Sequence, residues 1–233
     1  MRRISSLLLS CAVVFGTAFS DAAIVEDGAG ELVRRAQQAL GGTGRFSSVQ
    51  TMAVRGRRFR GAAADPFTWT IEWPHRYEFG TDRISHLLDR QAFSQVPKQP
   101  DRFRTTAEAT MRAEFIRAAI SFLLKPPDVA GGSVQVSRTS VAWQGRTVPA
   151  IDVRYENRIV TTLFFDPVSG VPSGRIDRRL VSEGGHTDFV PLRTTFLDYR
   201  IVRGIRFPHR LQELDLGGAY SRIDSIDIRS STR

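Results

Sequence analysis

The sequence predicts a mainly β protein of the α+β class, a single antiparallel, strongly curved sheet with an apolar helix laid over its buried face. Three observations carry this. From Val134 to Ile228 strand-like segments follow one another, each closed by turn-forming residues. Phe67, Trp69, Ile71 and Trp73 alternate strictly with Thr68, Thr70 and Glu72, so four large apolar groups share one face. The segment Ala107–Leu124 reads as a helix that is apolar around most of its girth, and such a helix must be covered on more than one side.

The elements follow in order. Arg2 and Arg3, the apolar run Ile4–Phe19 and the small residues Ser20, Ala22 and Ala23 have the layout of a secretory signal peptide. Cleavage after Ser20 or after Ala22 fits; residues 1–22 are assigned to the signal and 23–233 to a single domain. The apolar run is shorter than the ~20 residues a spanning helix needs. Cys11, the only cysteine, follows Leu8-Leu9-Ser10, which superficially resembles a lipoprotein cleavage site. Read as part of the signal, it is discarded, leaving no thiol for a disulfide, a thiolate metal site or a nucleophile. About 210 residues then remain, enough for one domain with a substantial core. The formal charge is +9, or +8 once Arg2, Arg3 and Asp21 are removed, and nearly all of it is arginine, since Lys98 and Lys125 are the only lysines. Basic proteins favour nucleic acid or anionic lipid surfaces. Export argues against nucleic acid and leaves a transient contact with an anionic membrane surface, or simply a solvated face.

Glu31–Leu40 is a short amphipathic helix with Leu32, Val33, Ala36, Ala39 and Leu40 on one stripe, ended by Gly41-Gly42. Gly44–Ser48 reads as a loop and Val49–Phe59 as a strand whose Arg55, Arg57, Arg58 and Arg60 imply an exposed edge or rim. Gly61–Pro66 connects it to the alternating strand, which Pro74 ends. Shorter strands near Arg76–Phe79 and Ile84–Leu88 precede a loop, Ser94–Thr105, that contains Pro97 and Pro100. On the helix that follows, Thr110, Glu114, Arg117 and Ser121 form a narrow polar strip, and Pro126-Pro127 stops it.

The second half reads as a meander with strands near Val134–Trp143, Thr147–Tyr155, Arg158–Asp166, Gly174–Leu180, Phe189–Tyr199, Ile205–Leu216 and Tyr220–Ile228. The turns between them, among them Gln144-Gly145, Glu156-Asn157, Gly184-Gly185, Arg203-Gly204 and Gly217-Gly218, supply residues that tolerate a positive φ. Regular spacing of this kind argues for an antiparallel sheet and against βαβ units.

Little in the chain points to chemistry. His75, His86, His186 and His209 are far apart and belong to no recognised ligand pattern. His186-Thr187-Asp188 would need a further metal ligand that the sequence does not nominate. Asp224 and Asp227 point to opposite faces of a strand and read as exposed charges beside Arg222 and Arg229. Gly170-Val171-Pro172-Ser173-Gly174 has its serine one place off the nucleophile-elbow spacing, and no helix follows. The expectation is therefore a protein that is not an enzyme and needs no metal or cofactor.

What remains are the apolar sets. Phe67, Trp69, Ile71 and Trp73 on the strand, with Met111, Phe115, Ile116, Ala119 and Leu123 on the helix, would line a shared interior. Either they are ordinary core or they enclose an apolar guest. Three stretches are similar to the LolA/LolB-like periplasmic carriers of outer-membrane lipoprotein sorting. They are Ala36-Gln37-Gln38-Ala39-Leu40-Gly41-Gly42 leading to Phe46-Ser47-Ser48-Val49, the turn Leu163-Phe164-Phe165-Asp166-Pro167-Val168-Ser169-Gly170-Val171-Pro172, and the hairpin Asp198-Tyr199-Arg200 to Gly204 and Phe207-Pro208. All three are turn signatures, and they span nearly the whole chain in order. The resemblance implies an unclosed β-barrel of about eleven antiparallel strands, its apolar face covered by helices and its cavity open to acyl chains. The expected function is a periplasmic carrier, soluble after signal cleavage and monomeric, whose partner is a lipid or the acyl chain of a lipoprotein. A non-catalytic envelope scaffold with a filled core is the alternative.

Overall fold

The computed structural model describes residues 24–90, 92–98, 100–129, 132–183 and 186–231; the signal segment and Cys11 lie outside the described residues. The chain forms one thirteen-stranded sheet. Its strands are β1 (Ile24–Val25), β2 (Val49–Arg60), β3 (Ala63–Glu72), β4 (Arg76–Thr81), β5 (Ser85–Asp89), β6 (Ala92–Val96), β7 (Val134–Trp143), β8 (Arg146–Tyr155), β9 (Arg158–Phe165), β10 (Pro172–Glu183), β11 (His186–Val202), β12 (Ile205–Glu213) and β13 (Tyr220–Ser230). Helices α1 (Asp27–Leu40), α2 (Thr43–Ser48) and α3 (Asp101–Ala118) complete the fold, and α3 runs on into a π-helical turn, Ala119–Leu123.

The order across the sheet is β1-β7-β8-β9-β10-β11-β12-β13-β2-β3-β4-β5-β6. Two meanders, β2–β6 and β7–β13, are therefore joined side by side where β13 pairs antiparallel with β2. Among the described residues, only β1 runs parallel to its neighbour, β7. The ends of the order, β1 and β6, do not meet, so the curved sheet is an unclosed barrel.

Most predicted strands are present within a few residues, and the differences have physical causes. The sheet has two more strands than the resemblance implied. One is β1, which is only two residues long. The other is β6, which falls where two prolines suggested a loop but ends at Val96, just before Pro97. The expected loop at Gly44–Ser48 is a helical turn that buries Phe46. The basic strand β2 is not at an edge, since β13 and β3 flank it.

Both long helices lie on the same face of the sheet. Ala29, Leu32, Ala36 and Leu40 of α1 join one continuous core with Met111, Phe115 and Ile116 of α3 and the inward residues of β2, β3, β8, β9, β12 and β13. From Phe115 to Leu124 every residue is buried, as an all-round apolar segment requires. The π-turn sits inside this stretch, and Leu124 ends it in the left-handed conformation at φ 51°. Gln37 Nε2 of α1 donates to the Leu124 carbonyl at 3.2 Å, one of the carbonyls the helix end leaves without an intrahelical partner. A second small cluster, Val148, Ala150 and Phe164 with Val141, Trp143 and Ile176, covers the opposite face of β7–β10.

The polar strip of α3 begins exposed at Thr110 and turns inward by Arg117 and Ser121. Arg117 donates from Nη1 to Glu114 Oε1 at 3.0 Å and from Nη2 to the Arg178 carbonyl at 3.0 Å. Its Nε lies 3.5 Å from Asp177 Oδ1. Arg175 Nε lies 3.0 Å from Asp177 Oδ2, and its Nη1 donates to Ser121 Oγ at 3.1 Å. Asp177 is fully buried, and two arginines, one from the helix and one from β10, compensate its charge. This ionic joint fastens α3 across the sheet.

Candidate functional site

Strand pairing grades the inward face between α3 and the sheet from apolar to charged. Along β2 the inward residues are Met52, Val54, Gly56, Arg58 and Arg60; opposite them on β3 stand Ile71, Trp69, Phe67, Asp65 and Ala63. The first two pairs are buried and apolar, and the last two are polar or exposed. Gly56 is the point of change. A side chain there would place Cβ 2.7 Å from Phe67 Cζ and 2.5 Å from the Arg222 carbonyl, so glycine lets the Phe67 ring lie across the strand.

Between this face and α3 lies a cavity of about 800 Å³. Its apolar part is built by Phe67, Trp69, Tyr77, Phe79, Met111 and Phe122. Trp69 meets Phe122 edge-on with ring centroids 5.0 Å apart, and Tyr77 stacks on Phe115 at 5.5 Å. Burial, and secondarily the charge of Glu114, pushes the Tyr77 phenol far above its usual range, so it stays protonated. The charged part comprises Arg58, Arg60, Asp65, Asp82, Arg83, Glu114, Arg175 and Glu213. Arg58 donates from Nη2 to Glu213 Oε1 at 2.7 Å, while its buried Nε has no hydrogen-bond partner among the described residues. His86 also lines the cavity, between Phe79 and Phe93, with neither ring nitrogen in a hydrogen bond of good geometry among the described residues. Burial lowers its pKa, partly opposed by Gln95, which keeps the imidazole neutral at pH 7.

Of the nine apolar residues singled out in the sequence, the structure puts Phe67, Trp69 and Met111 on the cavity wall. Ile71, Phe115, Ile116, Ala119 and Leu123 are buried behind it in the core. Trp73 packs at the core's margin, where Lys125 Nζ lies 5.2 Å from its ring. Sequence reasoning missed Tyr77, Phe79 and Phe122, and it missed the charged wall altogether. A signal was present, because Arg58 and Arg60 have the same parity along β2 as Met52 and Val54.

The polar candidates separate. His186, Thr187 and Asp188 begin β11, but their side chains lie outside those described. Asp224 accepts from Arg57 and Arg222, each at 3.1 Å, whereas Asp227 lies 3.9 Å from Arg203 rather than beside Arg229. Among the described residues no group of three or more His, Cys, Asp or Glu could hold a metal ion. No described helix is long and apolar enough to cross a membrane.

No family model matches the sequence, and no curated protein matches it. Similar solved structures include a LolA superfamily protein from Nitrosomonas europaea, at 9% identity and a TM-score of 0.43 over 88% of this chain and 94% of that one. A crystal structure of MucB is similar at 10% identity and a TM-score of 0.27, over 89% of this chain and 61% of that one. The MucA/MucB complex of Pseudomonas aeruginosa matches at 12% identity and a TM-score of 0.27, over 88% of this chain and 59% of that one. The chain thus spans about three-fifths of these MucB chains.

Proposed function

We propose that this protein is a periplasmic carrier that holds the acyl part of a lipid or lipoprotein between α3 and the sheet. It would do so as a single domain, residues 23–233, after loss of a signal segment at 1–22. The observation that supports the reading best is the cavity of about 800 Å³, walled by Phe67, Trp69, Tyr77, Met111 and Phe122 and reached also by Arg58, Arg60 and Arg83. That volume falls within the roughly 300–1,000 Å³ common for small-molecule sites. An amphiphile matches its grading: the chain lies against Trp69, Tyr77, Met111 and Phe122, and the head group stays near Arg58, Arg60 and Arg83. Each buried CH₂ contributes roughly 0.8 kcal/mol, so one acyl chain gives useful affinity with no chemical step. The N-terminal charge and hydropathy pattern supports export to the periplasm.

Native mass spectrometry of protein purified from the envelope fraction, with solvent extraction of the same sample, tests the proposal. The expected result is protein carrying lipid, and loss of that lipid in Thr110→Trp, which fills the cavity from an exposed position on α3. Bare wild-type protein that also fails to take up a fluorescent fatty acid while folded would overturn it, and would favour an envelope scaffold.

A further inference from the structure

The outer face of the sheet, away from both helices, bears an arginine–aromatic stripe that the cavity does not use. Leu197 on β11 pairs with Arg210 on β12, Arg210 with Arg222 on β13, and Arg222 with Arg57 on β2. Three arginines therefore stand directly opposite one another across three adjacent strands, an arrangement that costs stability unless something offsets the repulsion. Asp224 offsets part of it by bridging Arg57 and Arg222. Aromatic rings offset more. Tyr220 stacks on Phe59 at 4.7 Å, with Arg210 4.6 Å from the Tyr220 ring centre and Arg222 5.6 Å from that of Phe59. Arg206 extends the stripe, 5.9 Å from the Tyr199 ring. Arg206 and Arg210 have no carboxylate partner among the described residues.

The four guanidinium groups of the stripe thus share one carboxylate, Asp224, as ion-pair partner among the described residues. A guanidinium lying over a ring keeps its in-plane N–H donors directed outward, the geometry that suits phosphate oxygens. Apolar groups flank the same stripe. Leu197, paired with Arg210, is 37% exposed, and Ile201, paired with Arg206, is 72% exposed. Basic groups beside aromatic rings and bare aliphatic chains are the composition of a surface that rests on a bilayer, where cations meet head-group phosphates and apolar groups enter the interface.

We propose that this stripe, Arg57, Arg206, Arg210 and Arg222 with Phe59, Tyr220, Leu197 and Ile201, docks the protein on an anionic phospholipid bilayer. Charge complementarity and the flanking aliphatic groups favour a membrane over nucleic acid, which offers nothing for Ile201 or Leu197 to enter. The inference does not depend on the cavity holding a guest.

Flotation with phosphatidylcholine vesicles, with and without phosphatidylglycerol, tests it. Wild-type protein is expected to float only with the anionic vesicles, and to be released by salt near about 1 M, where the Debye length falls to about 3 Å. Arg206→Gln, Arg210→Gln and Arg222→Gln combined should lower partitioning by roughly a hundredfold, since each basic group at an anionic surface contributes about a factor of five. Ile201→Ser alone should weaken it too, at unchanged charge. Arg104→Gln, Arg146→Gln and Arg158→Gln combined remove the same charge elsewhere and should leave most binding intact, as should Thr110→Trp. Circular dichroism confirms that each variant is folded. Equal losses from the two triple variants would overturn the proposal by showing that net charge alone drives binding. So would absence of wild-type flotation with anionic vesicles, or binding of duplex DNA through the same arginines without vesicle binding.

Discussion

Trp69 on β3 and Phe122 in the π-turn after α3 meet edge-on at 5.0 Å, and this is where the strand that begins the cavity touches the helix that roofs it. Both rings are buried, yet both also face the cavity, so each serves the core and the wall at once. Replacing Trp69 by Ala should cost about 3 kcal/mol, the low end for a large aromatic, because the removed ring borders space that already exists. Urea unfolding gives this number. Uptake of a fluorescent fatty acid should fall more steeply in Trp69→Ala than in Leu88→Ala, whose side chain is buried away from the cavity.

Asp177 ties α3 to β10 through Arg117 and Arg175. Asp177→Ala leaves the buried Arg175 without a carboxylate and Arg117 with Glu114 alone, and should destabilise by about 3–5 kcal/mol. Replacing Arg117, Arg175 and Asp177 together by Met, Met and Leu should recover much of the loss, since an apolar cluster needs no compensation. The two chemical denaturation curves decide it. Asp177→Ala as stable as wild type would mean that the joint contributes nothing.

Lys125 follows the π-turn, and its Nζ donates to the Ser47 carbonyl at 3.2 Å and the Val49 carbonyl at 3.4 Å. Burial lowers its pKa from 10.5 to about 8. Between these values the unfolded chain holds the proton and the folded protein does not, so stability from this group rises with pH across that window. Below about 8 the folded protein bears the full cost of burying the charge. Wild-type stability minus that of Lys125→Met should therefore increase from pH 7 to pH 10, read by urea midpoints at constant ionic strength. A flat difference would contradict the assignment.

Gly56→Ala would force Cβ against the Arg222 carbonyl and the Phe67 ring. The ring can swing but the carbonyl belongs to the β2–β13 ladder, so the cost should be about 1–3 kcal/mol. Because Phe67 lines the cavity, ligand uptake should change along with the midpoint. Gly145→Ala provides the comparison, a turn position at φ 74° with open space around it, where only stability should suffer.

The second meander was legible because its turns announce themselves. Gln144, Glu156, Asn157 and Arg203 take positive φ where the sequence placed turns, and Gly145, Gly170, Gly204, Gly217 and Gly218 do the same. The first meander was harder to read. Ala92–Val96 is short and runs into Pro97, and the first turns of α3, from Asp101, carry charged and polar residues rather than an apolar stripe. The apolar half of the cavity wall was partly visible as alternation at Phe67 and Trp69. The charged half was not, because an arginine inside an antiparallel strand ordinarily faces water. Arg58 faces inward because its carboxylate, Glu213, comes from a strand 155 positions later, a distance no local pattern spans.

A closed barrel has its girth fixed by strand number and stagger. Here β6 ends the ladder without meeting β1, so that constraint is missing. The distance between the β3–β6 flank and α3 is therefore set by side-chain packing, such as Trp69 on Phe122 and Tyr77 on Phe115, and not by ring closure. Those ring contacts, and not the strand count, thus fix the gauge of the space beneath α3.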